Sequence, residues 1–585
     1  MTRPEQSLDP YAARPWLASY PNGAPANIDV SAARTLVDDF RQSVAAFPDR
    51  PVMESFGARL TYRELERAAD SIAAWLQSQG LQKGDRVAIM SPNVLGYPAA
   101  MFGALIAGGV VVNVNPLYTH GELEHQINDA GARFVFVFEN FADTVETAWP
   151  NMKVERAVVM TPGDLMGLKG YVVNFVSRHV KKMVPAYRLP ASIAFSEVLK
   201  EGARTPLTPI EIAPDDMAFL QYTGGTTGVA KGAVLLHRNV SIDVAQTWAW
   251  LEWYLGPACP HVMITALPLY HIFALTACCM LTIRTGGCCV LIANPRDLKG
   301  FIATIRKRRF TIFAGVNTLY AALADHPEIR SVDFSNLSMN ISGGMSTQEG
   351  VARKWAAITG KPIIEGYGLS ETSPIVTVNR PDIGDFTGAI GYPIPSTEVS
   401  IRDADGGVVP AGERGELCVR GPQVMPGYWR RPDETAKVTT PDGFFKTGDI
   451  AIMEPDGLFR IVDRLKDMIL VSGFNVYPNE VEAALAEHPN VKEVAVIGVP
   501  YRHSGEAPMA FIVRRDPSLT AEELRAFAHE RLTGYKVPRF FEFRDSLPKT
   551  NVGKILRRAL RDEYFARCGE NDDERDKSLD LHAPN

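Results

Sequence analysis

No stretch of this 585-residue chain reaches the roughly 20 uninterrupted apolar residues that a membrane-spanning helix needs. The most apolar runs, 101–114 and 274–283, are shorter and carry small residues, as buried core elements do. Residues 1–27 lack the basic-then-apolar order of a secretory signal. Surplus positive charge is missing too. The net charge is −6, which argues against a general nucleic-acid binder, because phosphate contacts need concentrated basic charge. The seven cysteines have no Cys-x-x-Cys or Cys/His ligand spacing. That speaks against structural zinc and for a reducing, cytoplasmic compartment. The adjacent pairs Cys278/Cys279 and Cys288/Cys289 read as small buried hydrophobes. One local absence carries information of its own: residues 165–196 contain no acid, while Lys169, Arg178, Lys181, Lys182 and Arg188 are basic. Tyr171, Val172, Val173, Phe175, Val176 and Val180 are interleaved among them. The segment reads either as an interfacial element that touches anionic lipid or as a solvated basic helix.

Against these absences stands residues 222–232, Tyr-Thr-Gly-Gly-Thr-Thr-Gly-Val-Ala-Lys-Gly. Gly224, Gly225 and Gly228 free the backbone, so that successive amide N–H groups can converge on an anion. Tyr222 leads into the loop, Thr223, Thr226 and Thr227 add hydroxyl donors, and Lys231 adds a mobile positive charge. The spacing is not that of a P-loop, since Gly232 stands where a magnesium-binding hydroxyl would follow the lysine. The apolar run 217–220 reads as a buried strand feeding the loop, which favours a phosphate site over a plain Gly/Thr turn.

The length exceeds what one hydrophobic core supports, so at least two domains are expected. Strand-like and helix-like patterns alternate, which predicts an α/β fold. A helix is predicted from Leu60 to about Gln79, with strands at 85–90, 110–114 and 132–137. Hairpin strands are predicted at 398–409 and 415–419, turning at Asp405-Gly406-Gly407. Beyond 463–467 the pattern shifts to short β-α-β units, with a helix over 478–486. The expected organisation is a large α/β domain with a β-barrel-like subdomain over 1–464, then a small α+β domain over 465–568. A charged tail at 569–585 lacks apolar periodicity and is expected to be disordered.

Four further segments carry chemistry. Tyr367-Gly368-Leu369-Ser370-Glu371-Thr372 places a carboxylate where it can hold Mg²⁺ beside a polyphosphate, although such an acid can also simply start a helix. Asp449, in Lys446-Thr447-Gly448-Asp449, can accept hydrogen bonds from ribose hydroxyls or can sit in a plain turn. The third is Asp463-Arg464-Leu465-Lys466-Asp467, followed by Val471-Ser472-Gly473-Phe474-Asn475, and the fourth is 548–554, which ends in Gly553-Lys554.

In this order the five motifs closely resemble those of the acyl-adenylate-forming superfamily, over about residues 60–558. Within it, the runs 112–119, 268–275, 315–320 and 469–480 look like those of bacterial long-chain fatty acid–CoA ligases. The resemblance implies two half-reactions: a fatty carboxylate attacks the α-phosphate of ATP to give acyl-AMP and pyrophosphate, and the thiol of CoA then displaces AMP. It implies that 223–231 hold the β- and γ-phosphates, that Thr223 and Glu371 meet Mg²⁺, and that Tyr367 flanks adenine in a pocket lined from Gly344 to Gly366. Gly368 and Ser370 belong to the same nucleotide site, with Ser370 standing where relatives usually carry Thr. Asp449 and Arg464 are expected at the ribose, and Lys554 between carboxylate and α-phosphate. Lys466 takes the hinge position about which the small domain rotates, Gly473 lines the CoA tunnel, and His271 moves aside for CoA. The acyl channel is expected along Ile272, Phe273, Val316, Asn317, Thr318, Gly343 and Met345. Relatives often pair through the large domain, so a homodimer is an open expectation. Two alternatives stand beside this reading: a ligase for medium-chain or aryl acids, and a nucleotide-responsive membrane-surface protein working through 165–196.

Overall fold

The structure, a computed structural model, describes residues 9–31, 33–223, 230–256, 260–472, 474–550 and 553–568. Apolar strands separated by helices pair in parallel through crossover connections, and two sheets arise this way. The first has seven strands, in the order Ser192–Ala194, Arg156–Met160, Ala132–Phe138, Arg86–Met90, Val110–Val114, Met217–Thr223 and Lys231–Leu236. Only the last pairing is antiparallel, the hairpin that flanks the Gly/Thr motif. The second sheet has nine strands. Its parallel centre runs from Ile363–Gly368 through Met339–Ser342, Ile312–Gly315, Val262–Thr265 and Cys288–Leu291 to Pro51–Ser55. Helix Gly96–Ile106 is buried along its whole length and packs against helix Tyr62–Ser78.

Two predicted boundaries shift for local reasons. Leu60 and Thr61 end a strand, Ala58–Thr61, and the helix begins at Tyr62 because the Thr61 hydroxyl accepts the Glu64 N–H while Glu64 caps Thr61 in return. The strand expected over 398–409 stops at Arg402, where the Asp403 carboxylate accepts from the N–H groups of Asp405 and Gly407 and folds the turn back. The barrel-like region takes the form of a four-stranded antiparallel sheet, Glu398–Arg402, Gly415–Arg420, Phe445–Met453 and Phe459–Arg464.

Beyond Arg464 a five-stranded sheet begins at Ile469–Val471. Along its strands Val491–Tyr501 and Gly505–Arg514, alternate residues enter two separate cores, as the two-residue strand period demands. One core takes Val494, Val496, Ala510 and Ile512 and is covered by helices Pro478–Ala486 and Ala521–His529. The other takes Ala495, Ile497, Met509 and Phe511 and is covered by helix Arg557–Cys568. Both cores consist of residues from 469 onward. The tail expected to be disordered, 569–585, lies outside the described residues. Among the described residues no helix is long and apolar enough to cross a membrane.

Candidate active site

A cavity of about 2160 Å³ is lined by residues of all four sheets, the seven-stranded, nine-stranded, four-stranded and C-terminal ones. Strand Ile363–Gly368 brings Gly366, Tyr367 and Gly368 to its wall, and the turn Ser370–Thr372 brings Ser370 and Glu371. Tyr367 Oη donates to Asp449 Oδ2 at 2.6 Å, and Arg464 Nε pairs with Asp449 Oδ1 at 3.1 Å. Asp449 and Arg464 face each other across paired strands of the four-stranded sheet, so backbone register sets this constellation. Glu371 is buried, which raises its carboxyl above the usual range, and its Oε1 accepts from Tyr428 Oη at 2.7 Å.

Thr223 and Lys231 face each other in the hairpin and line the cavity. Tyr222 also reaches the wall, yet its hydroxyl is committed to Asp129 Oδ2 at 2.7 Å, so it braces the base of the loop. Gly224, Gly225, Thr226, Thr227 and Gly228 lie outside the described residues, as does Gly473.

Lys554 reaches the same cavity from the C-terminal sheet domain. Burial, followed by the positive charge of Arg464, lowers its ammonium from the usual range to about 8. Gly553, at φ +82°, lies against the large domain so closely that a Cβ there would overlap Thr318 Oγ1. His271 lies near Lys554; burial and then the Lys554 charge push the imidazole down to about 4. Its Nδ1 accepts from the Phe273 N–H at 3.3 Å, which leaves the proton on Nε2. Lys466 lines the cavity too, and burial lowers its ammonium.

The same cavity is lined by Ile272, Phe273, Val316, Asn317, Thr318, Gly343 and Met345, the residues expected at the acyl channel, and by Gly344, expected at the nucleotide pocket. Asn317 also serves structure, its Oδ1 accepting from the Gln348 N–H at 3.0 Å. Further apolar lining, from Leu251, Leu267, Ala277, Leu281, Met339 and Ile341, was not legible as a motif. Ala277 sits in a π-helical stretch, Ala274–Met280, four residues after Phe273, and Ile341 lies two residues before Gly343, so some of this lining adjoins the expected site residues in the chain.

Glu365 falls inside the range 344–366 expected to line the adenine pocket but was not singled out within it. It lines the cavity one residue before Gly366, and burial raises its carboxyl to about 7. Its Oε1 accepts from the Thr347 N–H at 3.0 Å, whereas Oε2 is buried with no protein partner. Such an oxygen is costly unless a ligand or water completes it. A carboxylate two residues before Tyr367 was visible in the sequence, but nothing there marked it as buried.

The AMP-binding enzyme profile matches residues 40–429, and the AMP-binding enzyme C-terminal domain profile matches residues 480–554. A long-chain-fatty-acid–CoA ligase of Escherichia coli O6:H1 is 52% identical over 94% of this chain and 98% of its own. A long-chain-fatty-acid–CoA ligase of Bacillus subtilis is 38% identical over 94% and 98%. Among solved structures, the anthranilate CoA ligase AuaEII in complex with anthranoyl-AMP superposes with a TM-score of 0.80 at 26% identity, covering 92% of this chain and 99% of that one. ATP-bound MatB from Rhodopseudomonas palustris gives 0.78 at 28% identity, covering 90% and 99%. With two thirds of its length inside one family profile and near-complete coverage by relatives of up to half its sequence, the chain belongs to the AMP-binding enzyme family.

Proposed function

We propose that the chain is an AMP-forming long-chain fatty acid–CoA ligase. The observation that carries this reading is one continuous cavity joining a buried lysine, a carboxylate–arginine pair and an apolar lining. In the first half-reaction a carboxylate oxygen forms a bond to the α-phosphorus of ATP and pyrophosphate leaves with the electrons of the broken P–O bond. In the second, the CoA sulfur attacks the acyl carbon, the thiol proton goes to solvent or a nearby base, and AMP leaves. Lys554 bridges carboxylate and α-phosphate, where its charge offsets the negative charge of the first transition state. Asp449 accepts from ribose hydroxyls with Arg464 beside it, Tyr367 flanks adenine, and Glu365 Oε2 accepts from the adenine amino group. Thr223, Lys231 and the residues 224–228 hold the β- and γ-phosphates.

Glu371 and the Thr223 hydroxyl fit Mg²⁺, an ion that takes one or two carboxylates from protein and completes its shell with phosphate and water. The described residues contain no cluster of three or more His, Cys, Asp or Glu suited to a metal. When bound, the ion would neutralise the polyphosphate. In this reading the domain boundary falls between residues 464 and 465, with Lys466 as the hinge about which the C-terminal domain turns to admit CoA past His271 and Gly473.

Two predictions test the pocket assignments. Glu365→Leu is expected to raise the KM for ATP about tenfold, the loss of one hydrogen bond to a charged group, while Glu365→Gln stays within about threefold. Steady-state kinetics at saturating acid reads this; equal effects of the two variants would remove the adenine contact. Ala277→Phe should shorten the acyl channel. Each buried CH₂ contributes ~0.8 kcal/mol, so kcat/KM for palmitate is expected to fall at least about tenfold while octanoate changes little. The substrate class itself is tested by pyrophosphate release with palmitate, octanoate and benzoate. Palmitate is expected to give the highest kcat/KM; activity confined to octanoate or benzoate would keep the mechanism and overturn the substrate.

A contact with anionic lipid through 165–196 is part of the same proposal. Helix Leu168–Phe175 runs into the π-helical stretch Val176–Val180, and its amphipathicity is inverted. The small and polar face is the docked one. Gly170 packs on the Gly163 backbone, where a Cβ would overlap the carbonyl oxygen. Asn174 Oδ1 accepts from the Gly163 N–H at 2.8 Å, and Arg178 pairs with buried Glu139 at 2.7 Å. The apolar face points outward: Leu168 is 86% exposed and Tyr171 77%, with Val172, Phe175, Val180 and Met183 also exposed. A surface helix ordinarily buries that face. Lys169, Lys181 and Lys182 beside it suit an anionic headgroup layer. Wild type is expected to float with phosphatidylglycerol vesicles, and Tyr171→Glu/Phe175→Glu to stay behind with unchanged octanoate turnover. Equal flotation of the two proteins would contradict the contact.

A further inference from the structure

Lys231 opens the second strand of the hairpin that flanks the Gly/Thr motif, and its ammonium pairs with the carboxylate of Glu434. The same carboxylate accepts from Lys437 Nζ at 2.5 Å through its other oxygen. These two lysines hold Glu434 down at about 2, far below the usual carboxylate range.

The contact is built into the fold. The segment leading to Glu434 is sewn to the hairpin by backbone bonds, Val234 N–H to the Gly427 carbonyl at 3.0 Å and Trp429 N–H to the Gly232 carbonyl at 2.8 Å. Thr435 Oγ1 accepts from the Tyr428 N–H at 2.9 Å, which sets helix Pro432–Lys437 against that segment. Tyr428 lies between the charges: its ring is 5.4 Å below the Lys231 ammonium, and its hydroxyl donates to Glu371. Lys231, Tyr428, Lys437 and Glu371 all line the cavity.

We propose that Glu434 is an internal counter-ion that competes with the polyphosphate for the Lys231 ammonium. This rests on the reading of Lys231 as a β/γ-phosphate ligand. The incoming phosphate exchanges one anionic partner of Lys231 for another, so binding gains less than a free ammonium would provide. When pyrophosphate departs, Glu434 takes the ammonium back, and the product leaves an already satisfied site. Glu434 is thus a positioning residue that moderates phosphate affinity and speeds pyrophosphate release. AMP, whose single phosphate lies at the Lys554 end of the cavity in the same reading, is indifferent to it.

Calorimetric titration of the full chain with magnesium pyrophosphate and, separately, with AMP tests this. Glu434→Gln is expected to tighten pyrophosphate about two- to fivefold, the range that partly exposed ion pairs give, and to leave AMP unchanged. In a Lys231→Ala background the Glu434 substitution should have no further effect on pyrophosphate. Unchanged or weaker pyrophosphate binding by Glu434→Gln, an equal shift for AMP, or the same shift without Lys231 would each overturn the proposal. If Lys231→Ala alone leaves pyrophosphate affinity untouched, the assignment of the phosphate site fails together with the counter-ion.

Discussion

Lys554→Ala is expected to lower acid-dependent pyrophosphate release by about 10²- to 10³-fold, the usual loss when one preorganised charge is removed from a transition state. Thioester formation from supplied palmitoyl-AMP should change by no more than about threefold, because in the proposed second half-reaction the acyl–phosphate bond is cleaved with the small domain turned away. The split between half-reactions is the diagnostic, and equal losses in both would assign Lys554 to folding or docking. The pH dependence follows from the same residue. Burial and Arg464 lower the ammonium to about 8, so the free enzyme carries the charge below that value and loses it above. The kcat/KM of the adenylation step should therefore fall as pH rises through about 8, approaching tenfold per unit beyond it. A bound polyphosphate favours the protonated form, so the corresponding limb in kcat should lie at higher pH. A pH profile flat from 7 to 9 in kcat/KM would contradict this role.

Gly553→Ala is expected to separate the half-reactions by a different route. A Cβ at this position would overlap Thr318 Oγ1 and stand 3.4 Å from Thr318 Cβ, and the φ of +82° is unfavourable for any side chain. Both penalties apply in the pose that carries Lys554 into the cavity; under the proposed rotation about Lys466 the overlap would be relieved. Pyrophosphate release should fall about 10- to 100-fold, the effect of misplacing a catalytic group by about an ångström. Conversion of supplied palmitoyl-AMP should persist. Adding Thr318→Ala removes the hydroxyl and should restore part of the adenylation rate relative to Thr318→Ala alone. No recovery in the double variant would mean that backbone strain, not the contact, is responsible.

How much of the site was legible depended on whether residues were neighbours in the chain. Tyr367 to Glu371, Asp449, Arg464 and Lys554 sit in short motifs whose residue types announce their chemistry, and the fold brings them to one cavity. Tyr428, Asp129 and Glu434 gave no local signal. Their roles come from hydrogen bonds that span tens to hundreds of residues, such as Tyr222 to Asp129 and Tyr428 to Glu371. Glu365 was hidden for another reason, since an acid beside a glycine reads as solvated until the fold buries it. The apolar lining from Leu251, Ala277 and Met339 was illegible because these look like any core residues until an empty volume lies between them. The α/β alternation and the helix Pro478–Ala486 were legible because hydrophobic period and a proline in the first helical turn are local properties. The segment 165–196 lay between these cases: its composition was visible, but only the docking of Gly170 and Asn174 decided which face points outward.

The central claim is most directly tested by mixing enzyme, ATP, magnesium and palmitate without CoA and following the products of one turnover. The account predicts a palmitate-dependent burst of about one pyrophosphate per enzyme with palmitoyl-AMP retained, and palmitoyl-CoA plus AMP on adding CoA. Release of ADP and phosphate, or pyrophosphate that appears only when CoA is present, would contradict it.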